Sequence, residues 1–288
     1  MKQSGLKRAI ALFMQIVLLL SIGSSVGCAE QSVMDQISYE VKFFLAPDKV
    51  LTENHQLTEA VANQFRLEAE YKPIDVIYLE TPERTFQSEG WVNRIRWKDG
   101  KKKAELTCKM RCPVDGEGPA DILTALGRVA SRGIDPRSDS CSLEVDWGCS
   151  QMTLSVTWGD SGKFKDYQSL EQFNTEDAIA FFSEFMPTEE KDWNNPGWGT
   201  EYLARAQKVG ITMSRVKGIL EDTEVTFDIT TIPMDGAAEE LVELSFKADS
   251  YSEAAEKRRQ LATCLEESGI LLKDDAMKTQ KILDAGLD

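Results

Sequence analysis

The sequence predicts an α+β fold built around about eight antiparallel strands, each with one charged face and one apolar face. The main observation is an alternation of residue types with a period of two. In Trp91–Lys98, Arg94 and Arg96 alternate with large apolar residues. The same alternation occurs in Ser38–Leu45, Ala104–Cys112, Cys141–Cys149 and Glu240–Ala248. Because residues of both charges share the polar face, the sheet favours a site for an anion together with a metal ion.

Helical spacing and turn residues predict the elements of the first half. Leu57, Val61 and Phe65 recur at every fourth position, which predicts a helix over roughly Glu53–Ala69. Asp99-Gly100 is a tight-turn pair, so the strands on either side of it form a hairpin. The other predicted elements are a strand at Ile77–Leu79, a helix around Ile122–Val129, and a hairpin of Cys141–Cys149 with Met152–Trp158.

The second half is predicted to hold helices, one loop and three successive strands. A helix over Thr175–Met186 ends before Pro187, which cannot continue it. Thr188–Gly199 contains Asn, Pro and Gly and is predicted to be a loop. The remaining elements are helices at Tyr202–Val209, Ser252–Ser268 and Asp274–Leu283 and strands at Ile211–Leu220, Glu224–Ile232 and Glu240–Ala248. Because no long linker interrupts this series, residues 28–288 are predicted to form one domain.

Two arrangements of these strands agree with the alternation. A closed barrel would place the charged faces in its lumen and cover the apolar faces with helices. A two-layer sandwich would pack the apolar faces together and leave the charged faces in solvent. Periodicity alone does not separate the two.

The N-terminal residues have the pattern of a signal peptide. Lys2, Lys7 and Arg8 precede an apolar stretch, Ala9–Ile22, which is too short to span a bilayer. Small residues follow and lead to Cys28, as in a bacterial lipoprotein signal. We therefore expect residues 1–27 to be removed and Cys28 to be lipidated, which anchors the protein in the membrane of a bacterial cell envelope. A soluble secreted or periplasmic protein is the alternative.

Composition and motifs exclude several classes of function. The formal net charge is −15, so the surface as a whole repels nucleic acid. The chain has one histidine, His55, which argues against a Ser-His-Asp hydrolase. Neither a P-loop nor the glycine fingerprint of a dinucleotide-binding domain occurs.

Several segments, in order along the chain, resemble the motifs of the CYTH, or triphosphate tunnel metalloenzyme, superfamily. Ser38–Phe43 resembles the opening Glu-x-Glu-x-Lys strand, and Gly90–Arg96 resembles the Gly-x-x-Leu-Arg-x-Arg strand. The other matching segments are Ile77–Pro82, Leu106–Lys109, Val242–Phe246 and the tail pair Lys278-Thr279. Each motif is short, but their order and spacing match over most of residues 38–283.

The resemblance implies a closed antiparallel barrel with a charged lumen that binds a polyphosphorylated small molecule or inorganic polyphosphate. It implies a metal-dependent phosphohydrolase that uses Mg²⁺ or Mn²⁺. The phosphate ligands that it implies are Lys42, Arg94, Arg96 and Lys109, with Arg215 and Lys217 as further candidates. The metal ligands that it implies are Glu40 and Glu243, with Glu144, Asp146 and Asp228 as further candidates.

The chain departs from the family pattern at two acidic positions. Ser38 and Ser245 stand where the pattern has carboxylates. A hydroxyl holds a hard cation less strongly than a carboxylate does, so we expect any hydrolysis to be weak and limited by metal affinity. A non-catalytic ligand-binding protein, or a structural envelope lipoprotein, is the alternative.

Overall fold

A computed structural model describes residues 33–98, 101, 103–163, 169–234, 236, 238–275 and 278–287. The predicted signal peptide and Cys28 lie outside these residues. The chain divides into two units, residues 1–37 and 38–288, and the second unit holds the sheet except for Ile37, the residue at which the first strand begins. No helix in the described ranges is long and apolar enough to cross a membrane.

Within the described residues, nine strands close into one ring and a tenth, short strand pairs beside the first. The strands are β1 (Ile37–Leu45), β2 (Lys72–Glu80), β3 (Trp91–Lys98), β4 (Lys103–Val114), β5 (Ser142–Trp147), β6 (Met152–Lys163), β7 (Gln207–Leu220), β8 (Thr223–Ile232), β9 (Glu239–Ala248) and β10 (Leu271–Leu272). Their order around the ring is β1-β5-β6-β4-β3-β2-β7-β8-β9, and β9 pairs with β1 to close it.

The barrel is mixed, with a single parallel junction. The other eight junctions are antiparallel. Because an odd number of strands cannot alternate in direction all the way around a ring, the remaining neighbours, β1 and β5, run the same way. The prediction of an α+β fold with a closed barrel is confirmed, with nine strands in the ring instead of about eight.

Short helices connect the strands, and the longer ones, except for the C-terminal helix, cover the outside of the barrel. They are α1 (Pro47–Val50), α2 (Glu59–Gln64), α3 (Thr85–Ser88), α4 (Pro119–Ser131), α5 (Thr175–Ser183), α6 (Thr188–Lys191), α7 (Trp198–Leu203), α8 (Tyr251–Glu267) and α9 (Lys278–Leu287). On the outer face, Trp147 of β5 stacks on Tyr251 of α8, with ring centroids 5.4 Å apart. Trp91 of β3 packs edge-on against Trp193, at 5.2 Å. Burial of each such ring contributes about 2–3 kcal/mol, so the outer layer of aromatic side chains stabilises the closed sheet.

One part of the inner surface is apolar and packs against α9. Tyr78 and Val209 belong to a buried cluster that includes Ile282 and Leu283 of α9. Tyr78 lies opposite Arg94 in the β2–β3 register, so this cluster shares the inner face with the charged residues. The C-terminal helix is therefore part of the wall of the lumen.

Three predicted elements differ from the structure. The helix predicted over Glu53–Ala69 is limited to α2, because the Thr58 hydroxyl accepts the Val61 amide and starts the helix there. The helix predicted over Tyr202–Val209 is wrong beyond Leu203, since β7 begins at Gln207. The predicted loop Thr188–Gly199 contains α6 and the start of α7.

Candidate functional site

The lumen contains a cavity of about 640 Å³ lined by inward-facing side chains from the barrel strands and from α9. Its described lining has nine basic residues: Lys42, Arg94, Arg96, Lys98, Lys109, Arg111, Arg215, Lys247 and Lys278. It has six acidic residues: Glu40, Glu144, Asp146, Asp228, Glu243 and Asp275. The cavity thus carries an excess of three positive charges inside a chain whose formal net charge is −15. Such a local reversal of charge favours an anionic ligand.

The first group of carboxylates in the cavity is formed by Glu40, Glu144 and Asp146, which we call the acid triad. Each contributes one oxygen to a set whose members all lie within 4.8 Å of one another. Glu40 lies on β1 and the other two lie on β5, so the parallel junction between these strands brings the triad together. Oxygen donors at this spacing suit a hard divalent cation such as Mg²⁺ or Mn²⁺.

Lysines on neighbouring strands neutralise the acid triad. Lys42 Nζ lies 2.8 Å from Glu40 and also contacts Asp146. Lys109 Nζ lies 3.0 Å from Glu144 and 3.8 Å from Asp146. Lys247, whose side chain is 68% exposed, reaches Glu144 at 2.7 Å. Each of these amines ends a flexible side chain, so an anion in the cavity can draw it away from its carboxylate.

The lysines hold two members of the triad, Glu144 and Asp146, in their ionised form. Burial by itself raises the pKa of Glu144, but the nearby ammonium of Lys109, followed by those of Lys42 and Lys247, lowers that pKa to about 2. The pKa of Asp146 is also lowered, because Lys42 and Lys109 outweigh its burial. Glu144 and Asp146 are therefore charged near neutral pH, which is the state that binds a cation.

The second group of carboxylates is formed by Asp228 and Glu243, which we call the acid pair. The two residues lie directly opposite each other on β8 and β9. Arg215 donates two hydrogen bonds of 2.7 Å each to the oxygens of Asp228. Lys278 Nζ lies 2.8 Å from Glu243 and 3.3 Å from Asp228. Burial raises the pKa of Asp228, but Lys278 and Arg215 lower it further than burial raises it.

Two arginines on the inner face of β3, Arg94 and Arg96, lie close to each other and to the positive charge of Arg215. Arg96 Nε donates to Glu105 at 2.8 Å, and Arg94 Nη2 donates to the Thr107 hydroxyl at 3.3 Å. Burial and the charge of Arg94 lower the pKa of Arg96, and Arg215 adds to that effect. In the described part of the chain, Arg94 has no carboxylate within 4.0 Å, and its buried Nε has no hydrogen-bond partner. An anion placed here would relieve this repulsion between like charges.

Most of the residues implied by the resemblance line this cavity. They are Lys42, Arg94, Arg96, Lys109, Arg215, Glu40, Glu144, Asp146 and Glu243, together with Asp228. Lys217 does not line it: its amine lies 2.6 Å from Glu224 and its side chain is 45% exposed. Glu243 lies in the acid pair, away from the triad that contains Glu40. The roles of all these residues in binding stay predictions.

The two positions that depart from the motif have different surroundings. Ser38 lines the cavity, and its hydroxyl donates to the Leu143 carbonyl oxygen at 3.2 Å. Ser245 is buried, opposite Lys42 on β1 and Thr226 on β8. Both serines are thus on inward positions, close to where the triad's lysines lie.

Sequence reasoning missed four cations of the site, which are Lys98, Arg111, Lys247 and Lys278. Lys247 lies on the charged face of β9, so the alternation of that strand, together with the resemblance to a closed barrel, was sufficient to place it in the lumen. Lys278 was part of the matched tail pair, but no local pattern shows that its amine reaches β8 and β9.

No protein-family model matches the chain, and no curated protein sequence matches it. Among solved structures, it is similar to a candidate adenylyl cyclase from Hippeastrum that is described as having a dominant triphosphatase activity. That match has a TM-score of 0.51 and 15% identity, and it covers 85% of this chain and 94% of the other. A candidate adenylate cyclase from Bacillus halodurans matches with a TM-score of 0.49 and 13% identity, over 85% of this chain and 97% of the other. The chain has the closed-barrel fold of the CYTH, or triphosphate tunnel, proteins.

Proposed function

We propose that this triphosphate-tunnel fold binds a polyphosphorylated ligand together with a divalent cation and hydrolyses the ligand slowly. The observation that carries the proposal is Arg94, a half-buried cation in a positively charged cavity with no described carboxylate partner within 4.0 Å. Its Nε and the buried hydroxyl of Thr157, which also lines the cavity, have no hydrogen-bond partner among the residues that the structure describes. Buried polar atoms of this kind are rare in folded proteins and favour a ligand that supplies oxygen acceptors.

The charge balance of the cavity supports a ligand that arrives with a cation. A triphosphate carries several negative charges, and Lys42 and Lys109 are placed to neutralise part of them. If these lysines turn to phosphate, the triad loses its counter-charges and needs another cation. Glu40, Glu144 and Asp146 would hold that ion, because hard divalent cations prefer carboxylate oxygens. When bound, it supplies charge neutralisation and orientation at the reacting phosphate.

Hydrolysis on this site would depend on how the protein holds the phosphate groups. Arg94, Arg96 and Lys109 bind oxygens of the terminal phosphate and stabilise the charge that develops on them. A water molecule attacks the terminal phosphorus, the bond between that phosphorus and its bridging oxygen breaks, and the proton lost by the water passes to a phosphate oxygen of the products or to solvent. The released diphosphate leaves with the bridging oxygen. The dominant triphosphatase activity described for the Hippeastrum protein supports this class of reaction.

A specific observation favours a second candidate, a binding protein without turnover. Ser38 and Ser245 stand in place of two motif carboxylates, so the residues left to hold a cation differ from the family pattern. The same cavity would then bind a polyphosphate and release it unchanged.

Phosphate release from tripolyphosphate and from ATP, with Mg²⁺ or Mn²⁺, separates these candidates. We expect slow release by the wild type, loss of release in Arg94→Ala, and wild-type release in Lys217→Ala, whose residue lies outside the cavity lining. Thermal stabilisation by tripolyphosphate without release supports the binding protein. If tripolyphosphate neither stabilises the wild type nor is hydrolysed, the proposal is wrong.

We also propose that the protein is exported and anchored to the envelope membrane through a lipid on Cys28. The support is the basic, apolar and small-residue order of the first 28 residues. Mass spectrometry of the membrane fraction should find a diacylglyceryl-modified Cys28 and no peptide from residues 1–27. A mature N-terminus at Glu30, or protein found entirely in the soluble fraction, would contradict the anchor.

A further inference from the structure

The C-terminal helix carries a buried ammonium group into the cavity. Lys278 is the first residue of α9, and its side chain is only 14% exposed. Its Nζ bridges Glu243 at 2.8 Å and Asp228 at 3.3 Å, and those carboxylates are 11% and 7% exposed. A single amine thus contacts both members of the acid pair.

The position of this lysine is unfavourable for the helix itself. The N-terminal end of a helix has a partial positive charge, so a lysine in the first turn is repelled by the helix. As described from Lys278 onward, α9 has no acidic residue in its first turn to offset that repulsion. The two carboxylates on β8 and β9 provide the compensation. Burial lowers the pKa of Lys278, but Glu243 and Asp228 raise it by more.

The remainder of α9 is held by contacts that do not depend on Lys278. Ile282 and Leu283 pack into the apolar cluster with residues of β2 and β7. Lys281 Nζ lies 2.6 Å from Glu239, and Arg84 pairs with Asp284. The helix can therefore stay docked when the Lys278 amine is removed, while the acid pair loses a counter-charge.

Without that amine, Glu243 would have no described basic partner within 4.0 Å, and Asp228 would retain only Arg215. Two carboxylates at directly opposed positions on neighbouring strands would then repel each other. A divalent cation between them would restore the balance, because carboxylate oxygens on adjacent strands are ligands that Mg²⁺ and Mn²⁺ accept.

We propose that the Lys278 ammonium is a built-in cation that occupies the acid pair, so that the native protein binds a divalent cation at the acid triad alone. Lys278 then serves as a charge-positioning residue that excludes a second ion. The expected number of ions in the native protein rests on the function proposed above, whereas the effect of Lys278 on the acid pair does not.

Counting bound Mn²⁺ tests this proposal, with the full chain and Mn²⁺ alone as the probe. Equilibrium dialysis followed by electron paramagnetic resonance of free Mn²⁺ gives the number of ions per chain. We expect one ion in the wild type, one in the matched control Lys281→Met, and two in Lys278→Met. The double variant Lys278→Met/Glu243→Gln should lose the additional ion. A folded Lys278→Met protein that binds no more Mn²⁺ than the wild type overturns the proposal.

A second variant keeps the test decisive if Lys278→Met fails to fold. The proposal requires that Glu243→Gln, made in the otherwise native chain, binds as much Mn²⁺ as the wild type. Loss of the ion in that variant would show that Glu243 is a native metal ligand and would overturn the proposal. A wild type with no ion and a Lys278→Met variant with one would contradict the proposed triad site while supporting the role of Lys278.

Discussion

The acid triad and the acid pair lie in one cavity but are neutralised by different kinds of partner. The triad is paired with lysines on flexible side chains, one of which, Lys247, is largely exposed. The pair is held by the forked guanidinium of Arg215 and by an amine fixed to a docked helix. Counter-charges of the first kind can move to a ligand, whereas those of the second kind are part of the fold. We therefore predict that the acid triad exchanges its lysine partners for a bound cation, whereas the ion pairs of Asp228 and Glu243 are structural.

The largest expected effect is the loss of stability in Asp228→Ala. The substitution leaves Arg215 without its bidentate partner and Lys278 with only Glu243. Removal of one member of a buried ion pair costs about 3–5 kcal/mol, and urea unfolding should show a loss of that order. Glu224→Ala, which breaks an exposed pair with Lys217, should cost less than about 1 kcal/mol. Equal losses in the two variants would contradict a structural role for the acid pair.

The matching variant in the triad, Glu144→Ala, should lose less stability than Asp228→Ala. In this variant Lys109 would still have a carboxylate partner, because Asp146 lies 3.8 Å from its amine. Lys247 also loses its partner, but its side chain is largely solvated. The same urea series gives this comparison directly. A larger loss in Glu144→Ala would reverse the assignment of the two groups.

The next effect concerns ligand affinity. Arg94→Ala should weaken the binding of tripolyphosphate by about 1.5–3 kcal/mol, which is the contribution of a charge-assisted hydrogen bond in a desolvated site. The fold should survive, because no described carboxylate loses its partner. Isothermal titration calorimetry measures the change, with Lys217→Ala as the control of equal charge. Unchanged affinity in Arg94→Ala would show that Arg94 does not bind tripolyphosphate.

A carboxylate outside the cavity provides a contrast in pH dependence. Glu190 is fully buried, and burial raises its pKa to about 7, although hydrogen bonds from Cys108 and Asn93 oppose the rise. Because its pKa is higher in the folded state, Glu190 contributes stability below about pH 4.5 that is lost as the pH rises through 7. Glu144, Asp146 and Asp228 act oppositely, since their lowered pKa values stabilise the fold above about pH 4.5.

Because of Glu190, the free energy of unfolding of the wild type should fall by a few kcal/mol between about pH 5 and 8. Glu190→Gln should abolish that fall. Unfolding free energies measured across that range for the variant and the wild type provide the test. Parallel curves would show that Glu190 does not titrate there.

The smallest expected effect is a gain. Ser38→Glu together with Ser245→Glu adds carboxylates at two inward positions beside Glu40 and Lys42. We expect tighter binding of Mn²⁺ and faster phosphate release than in the wild type, because we propose that metal affinity limits the reaction. Additional buried carboxylates also repel their neighbours, so the variant should be less stable without metal. A variant that binds Mn²⁺ more tightly and still releases no phosphate would favour the binding protein.

The strands and their charged faces could be predicted from the sequence, because a period of two determines which side chains share a face. The inward positions of Arg94, Arg96 and Lys109 follow from that rule. Closure could not be predicted in this way, since a sandwich has the same periodicity. The motif resemblance decided that question correctly.

The grouping of the acids could not be predicted from local pattern. Glu144 and Asp146 meet Glu40 only because β5 lies beside β1, a parallel pairing of strands distant in sequence. Lys278 reaches Glu243 only because Ile282 and Leu283 dock α9 against the inner face of the barrel. Both contacts depend on tertiary packing that single-sequence periodicity does not encode.

The most direct test of the central claim is a crystal structure of the protein with tripolyphosphate and Mn²⁺. We predict phosphate density beside Arg94, Arg96 and Lys109, and an anomalous Mn²⁺ peak among Glu40, Glu144 and Asp146. The acid pair should keep Lys278 in place. Phosphate bound outside the barrel, or a Mn²⁺ peak between Asp228 and Glu243 with Lys278 displaced, would contradict the account.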